Sequence, residues 1–213
     1  MEGRDRGPAE APNFGEPATP RPAASVVLLR RSGRHNERGL EVLLLRRSQE
    51  ARFMPGVWVF PGGAVDAIDG EGEGGYRACA ARELTEEAGI VLPPEEELVL
   101  FSRWITPEII STRFDAWFFL ALAPAHTPPK PDGAETIEAG WYRPEVALRA
   151  LESGGMALAF PTIRQLQALS KFGSAEEAIA AYRGAAVEPI LPMMVGEGGG
   201  QRLALPGDPD YPA

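Results

Sequence analysis

Three glutamates crowd the stretch ARELTEEAGI, residues 81–90: Glu83, Glu86 and Glu87. On an α-helix, positions three and four apart share a face, so the three carboxylates can converge. They repel one another, and they lie near a helix C-terminus, where the macrodipole disfavours negative charge. Each effect costs roughly a few tenths of a kcal/mol. A bound cation removes both costs, and clustered hard oxygen ligands suit Mg²⁺ or Mn²⁺. Arg82, one turn before Glu86, can fold back on it and hold it in place. Taken alone, the same residues also fit a solvated acidic face.

The elements that must present this helix can be read from periodicity. AASVVLLRR and LEVLLLRRS read as two strands joined by the polar SGRHNERG. GVWVFPGG reads as a third, short strand ending in a Pro-Gly-Gly turn at Pro61, Gly62 and Gly63. YRACAARELTEEAG has helical periodicity, with Ala78, Ala81, Leu84 and Ala88 on one side, and Gly89 suits its C-terminus. EELVLFSRWITP and FDAWFFLALAP are two more strands, and a short strand follows at Trp141. RPEVALRALESG, PTIRQLQALSKFG and SAEEAIAAYRG read as helices, the last two opened by Pro161-Thr162 and Ser174. Strands, one helix, strands and then helices predict an α+β fold, a helix–sheet–helix sandwich with a mixed central sheet, rather than a doubly wound sheet.

The rest of the chain sets limits. Its 213 residues suffice for one core with tails. Residues 1–22 read as a flexible tail, 23–192 as the folded domain, and 193–213 as a flexible or loosely docked tail. Within that last segment, RLAL is a candidate short strand or a subunit contact in a homodimer. The net charge of −9 argues against a nucleic-acid or anionic-membrane partner. It also means that an anionic substrate needs a metal or a few placed arginines. The single cysteine, Cys79, excludes an internal disulfide and suits a reducing cytoplasm. Among alanines mid-helix it reads as packing, not as a nucleophile. No apolar run approaches the ~18 residues of a membrane span. The N-terminal residues have no apolar h-region of a signal peptide.

The acidic helix and the upstream FPGG together resemble the Nudix hydrolase family. Its motif reads Gly, five residues, Glu, seven residues, Arg-Glu, an apolar residue, any residue, Glu-Glu, any residue, Gly and an apolar residue. RELTEEAGI, Arg82 to Ile90, matches every fixed position of the second half, and Gly63 matches the opening glycine. Gly63 stands nineteen positions before Arg82, where the family has fourteen, so five extra residues lie inside DAIDGEGEGGY. Asp66, Glu71 and Glu73 are the candidates for the displaced first acid. A longer loop between fixed elements is thermodynamically cheap. The resemblance implies an α/β/α sandwich and hydrolysis of a nucleoside diphosphate linked to another group. It implies metal ligation by Glu83, Glu86 and Glu87, with a further ligand from the Gly63 carbonyl, and an orienting role for Arg82.

LLRRSQEARFMPGVWVFPGG, residues 44–63, resembles the motif that accompanies coenzyme A diphosphatases of this family. Leu44, Leu45, Ser48, Arg52, Gly56, Phe60, Pro61, Gly62 and Gly63 fall in register, with Arg46 in place of a threonine. WITPEIISTRFDAWFFLALAP is similar to a subgroup that includes peroxisomal coenzyme A hydrolases with an interrupted motif. The chain lacks a Ser-Lys-Leu ending, and the expected location is cytoplasmic. The implied substrate is coenzyme A or an acyl-coenzyme A. The alternatives are an ADP-ribose or NADH type, a nucleoside triphosphate pyrophosphatase, and a domain that only senses a nucleotide. Arg52 and Arg113 are the candidate phosphate-binding arginines, and Arg103 is a further candidate of the same kind as Arg113. Trp58, Trp104, Trp117 and Phe118 read as packing residues. Glu135 or Glu138, before Trp141, or a glutamate of the helix itself, is the candidate general base, and Glu135 is preferred.

Overall fold

The computed structural model describes residues 12, 13, 15–31, 39–51, 53–196 and 201–212. The central strand is β1 (Arg21–Arg31), whose residues Ala23, Ala24 and Val26–Leu29 are buried on both faces. An unbroken apolar run is what a strand covered on two sides requires. β1 pairs antiparallel with β2 (Leu40–Arg47) and parallel with β6 (Phe114–Leu122), which pairs antiparallel with β5 (Val99–Ile105). β3 (Trp58–Val59) and β7 (Thr136–Tyr142) pair with β2, β4 (Gly62–Ala64) pairs with β1, and β8 (Pro189–Ile190) extends β5. The sheet is therefore mixed, as the order of elements predicts.

Helices cover both faces. On one side α1 (Gly72–Ala88) packs over β1, β4 and β6, and its core contains Val26, Leu28, Leu43, Leu45, Leu84 and Phe119. On the other side lie α2 (Pro144–Glu152), α3 (Phe160–Leu169) and α4 (Ala175–Tyr182), over Val27, Leu29, Leu44, Trp58, Phe101 and Leu166. The Ser174 hydroxyl caps α4 by accepting from the Glu177 N–H at 3.1 Å. The result is the α/β/α sandwich.

Three local expectations change. The Pro-Gly-Gly segment does not end β3; its glycines form β4, which turns to pair with Ala23–Ser25 of β1. The buried stripe of α1 is Cys79, Ala80, Leu84, Glu87 and Ala88, while Ala78 is exposed. Small alanines define a face weakly, and here the sheet, not the alanine spacing, decides the helix rotation. β1 begins at Arg21, and segments either side of the expected domain are docked. The Asn13 N–H donates to Ile109 O at 2.6 Å. At the other end β9 (Met193–Val195) pairs antiparallel with β10 (Arg202–Ala204), so RLAL does form a strand. Ala204 is fully buried, and Leu203 and Leu205 pack on the core. No described helix is long and apolar enough to cross a membrane.

Candidate active site

The site forms where α1 lies against β4, and two glycines permit that approach. A Cβ on Gly62 would stand 2.0 Å from Ser25 Oγ and 2.6 Å from the Ala24 carbonyl. A Cβ on Gly63 would stand 2.5 Å from Glu83 Oε1. Without them β4 could not pair with β1 while carrying the helix carboxylates on top. The Gly62 N–H donates to Glu87 Oε2 at 2.9 Å, and the Gly63 carbonyl is turned toward α1, 3.6 Å from Cys79 Sγ. Gly89 takes the left-handed conformation (φ 65°) and its N–H returns to Leu84 and Thr85 carbonyls, ending α1 just past the glutamates. Thr136 Oγ1 donates to the Glu87 carbonyl at 2.9 Å and ties that end to β7.

The three glutamates occupy different environments. Glu87 is buried, Glu83 is nearly so, and Glu86 is exposed. Arg82 binds its neighbours as expected: Nη1 reaches Glu83 Oε1 at 2.7 Å and Glu86 Oε2 at 3.0 Å. Its strongest partner is one that sequence reasoning missed. Nε and Nη2 make a bidentate pair with Asp69, at 2.9 and 2.8 Å. Asp69 ends a 3₁₀ turn, Ala67–Asp69, and stands six positions after Gly63. That is the position of the family's first acid, so the five extra residues follow it and become the Gly70 turn and the first turn of α1. Of the residues expected there, Asp66 and Glu71 serve as N-caps, and Glu73 pairs with Arg77. Counting forward from Gly63, rather than spreading the insertion, would have found Asp69.

Electrostatics follow from this packing. The hydrogen bonds from Arg82 hold the Asp69 carboxyl below its ordinary range, and Asp69 in turn raises the Arg82 guanidinium. Burial raises Glu83, partly offset by Arg82, with repulsion from Glu86 and Glu135 adding to the rise. Burial pushes Glu87 up to about 7, against the Gly62 N–H and the Arg47 charge, while Glu83 and Glu135 raise it further. Four carboxylates from α1 and the loop before β7 thus feel one another. Glu135 is exposed and faces the group, whereas Glu138 pairs with Arg46 at 3.4 Å. Among the described residues no three such side chains are gathered as ligands, and Arg82 bridges Glu83 and Glu86. The donor set is all hard oxygen with surplus negative charge, which fits a divalent cation of the Mg²⁺ type. Cys79 is fully buried and its thiol is pushed up to about 12 by burial, consistent with packing.

A cavity of about 780 Å³ opens beside this cluster, and Gly62, Gly63, Ala64 and Glu135 line one end of it. Two arginines that the sequence reading passed over, Arg21 and Arg47, also line it. Arg47 sits where the β2–β7 register shifts, which breaks the alternation that would have flagged it. Arg113 has a different role from the one expected. It is buried, and it donates from Nε to Thr106 O at 3.0 Å and from Nη1 to Ala18 O at 2.7 Å, tying the N-terminal segment to the β5–β6 connection. Arg103 is committed to Asp115, at 2.8 and 2.6 Å. Arg52 lies outside the described residues. Trp58, Trp104 and Phe118 are buried in the core, and Trp117 stacks on Tyr76 at 4.5 Å.

A family model described as the NUDIX domain matches residues 19–162, more than half of the chain. The chain belongs to the Nudix hydrolase family. It is 27% identical to "Putative nudix hydrolase 7" of Caenorhabditis elegans over 71% of this chain and 61% of that protein. It is 24% identical to "Acyl-coenzyme A diphosphatase NUDT19" of Homo sapiens over 81% of this chain and 72% of that one. The chain thus spans about three fifths of the worm relative's length. Among solved structures it resembles a NUDIX hydrolase from Alicyclobacillus acidocaldarius, with TM-score 0.67 and 25% identity over 79% of this chain and 99% of that one. The NUDIX domain of Shewanella oneidensis NrtR, solved with ADP ribose, shares the fold at TM-score 0.52 and 21% identity, over 70% and 86% of the two chains. Membership in this family accounts for Arg82, Glu83, Glu86, Glu87 and Gly89 as one motif.

Proposed function

We propose that this Nudix chain is a Mg²⁺- or Mn²⁺-dependent hydrolase of a nucleoside diphosphate joined to a second moiety, with coenzyme A or an acyl-coenzyme A as substrate. The reading rests on one observation: Glu83 and Glu87 of α1 lie directly against Gly63 and Gly62 of β4, and those glycines, with Glu135, line one end of a large, mainly apolar cavity. Glu83, Glu86 and Glu87 hold the cation, with the Gly63 carbonyl as a further donor. When bound, the ion supplies positive charge to the phosphate oxygens and acidity to water. Asp69 fixes Arg82, and Arg82 orients Glu83 and Glu86. Glu135 accepts the proton of the water that attacks phosphorus. Arg47 and Arg21 give the anionic diphosphate cationic partners in a chain whose net charge is −9. The similarity to the human acyl-coenzyme A diphosphatase supports the choice of substrate.

The test is a substrate panel with Mg²⁺: coenzyme A, ADP-ribose, NADH, dinucleoside polyphosphates and nucleoside triphosphates, with products identified by mass. Cleavage of coenzyme A to a nucleoside phosphate and a phosphopantetheine is the expected result. Preference for ADP-ribose or NADH would overturn the substrate and leave the hydrolase.

A further inference from the structure

The cavity beside the carboxylates is far more apolar than cleavage of a diphosphate requires. Polar side chains such as Arg21, Arg47 and Gln201 line parts of it, but its aromatic lining is extensive: Phe53, Phe60, Trp104, Phe114, Phe118 and Phe160. At about 780 Å³ it lies within the ~300–1,000 Å³ of sites that enclose a sizeable ligand. The rings pair with one another edge to face: Phe53 with Phe114 at 5.7 Å, Phe60 with Phe118 at 6.4 Å and Trp104 with Phe160 at 5.9 Å. Within each pair the rings meet edge to face and not as parallel faces, so they offer apolar surface to the cavity.

The outer wall comes from the C-terminal hairpin. Pro192, Met194, Gln201 and Leu203 line the cavity, and the segment is held down by buried Ala204 and by Tyr211, whose hydroxyl donates to Leu191 O at 2.9 Å. Met194 and Met54 are unbranched and adapt to irregular apolar shapes.

We propose that this cavity holds a long acyl chain, and that the hairpin, through Met194 and Leu203, sets how long a chain the site accepts. The inference rests on the coenzyme A reading above and narrows it to thioesters of fatty acids. One end of the cavity carries the diphosphate chemistry and the other takes the alkyl tail, so the apolar surface is filled only when the substrate is acylated.

The experiment compares kcat/KM for coenzyme A, acetyl-, octanoyl- and palmitoyl-coenzyme A with Mg²⁺, in the parent and in Leu203→Asp and Met194→Asp. The parent should favour palmitoyl- over unacylated coenzyme A by at least ~10-fold, since each buried methylene adds binding. A folded variant should lower that ratio by ~10-fold or more, and Leu203→Met should restore it. Melting temperatures identify a variant that fails to fold; the parent's own chain-length series then decides. Cleavage of coenzyme A with no dependence on chain length would overturn this inference alone. Cleavage of ADP-ribose with none of any coenzyme A form would overturn both it and the substrate reading.

Discussion

Asp69 grips Arg82 with both carboxylate oxygens, at 2.9 and 2.8 Å, from a side chain that is only 3% exposed. The same guanidinium then reaches Glu83 and Glu86, so a residue in the loop after β4 determines where the helix carboxylates stand. Asp69→Asn should lower kcat by ~10-fold or more with a smaller change in KM, the pattern of a positioning residue. Asp69→Glu should keep more activity than Asp69→Asn. Alanine at Asp66, Glu71 or Glu73 should leave kcat within about twofold, because none of them touches Arg82. Steady-state kinetics on the five variants checks the ordering.

Glu87 makes the metal-free protein sensitive to pH. Its folded pKa is raised, from an ordinary 4.5 to about 7, so the folded state prefers the protonated form. The associated stability is fully present below 4.5 and is lost as pH rises to about 7. Glu83 is shifted in the same direction, whereas Asp69, Asp132 and Asp208 are lowered and act below 3.8. Thermal melts in chelator should show Tm falling across that window, and Glu87→Gln should flatten the fall. A parent Tm that rises there would contradict the burial argument.

The two glycines of β4 should fail differently. Gly62→Ala drives a Cβ into the Ala24 carbonyl of β1, backbone that cannot swing aside, and should cost about 1–3 kcal/mol in urea denaturation. Gly63→Ala meets the carboxylate of Glu83, which can rotate away. It should lower kcat by ~10-fold or more at nearly unchanged stability.

Removing residues 193–213 should destabilise the fold by about 2 kcal/mol or more, because it strips fully buried Ala204 and the packed Leu203 and Leu205 from the core. Equal urea midpoints for full-length and shortened chains would show that the hairpin contributes nothing.

Much of this site was legible because a helix converts spacing into geometry. Arg82 meets Glu83 and Glu86 at the intervals of a helical turn, while Glu87 turns to the Gly62 N–H of β4. The rotation of α1 was not legible, since alanines at 78, 80 and 81 are nearly equivalent to one another and only the sheet distinguishes them. Arg113 looked like a free cation because its carbonyl partners, on Thr106 and Ala18, belong to loops whose paths no periodicity predicts. RLAL stood out within a C-terminal segment rich in Gly, Pro and Asp, but no periodicity showed that Leu203, Ala204 and Leu205 dock on the core of their own chain.

The central claim is that the helix glutamates hold a catalytic cation. It is tested most directly by Mg²⁺-dependent turnover of Glu86→Gln and Glu87→Gln, each checked for an intact fold by circular dichroism. Both should lose at least ~10²-fold in kcat, since groups that share one ion act as a unit. Near-full Mg²⁺-dependent turnover in either variant would contradict the account.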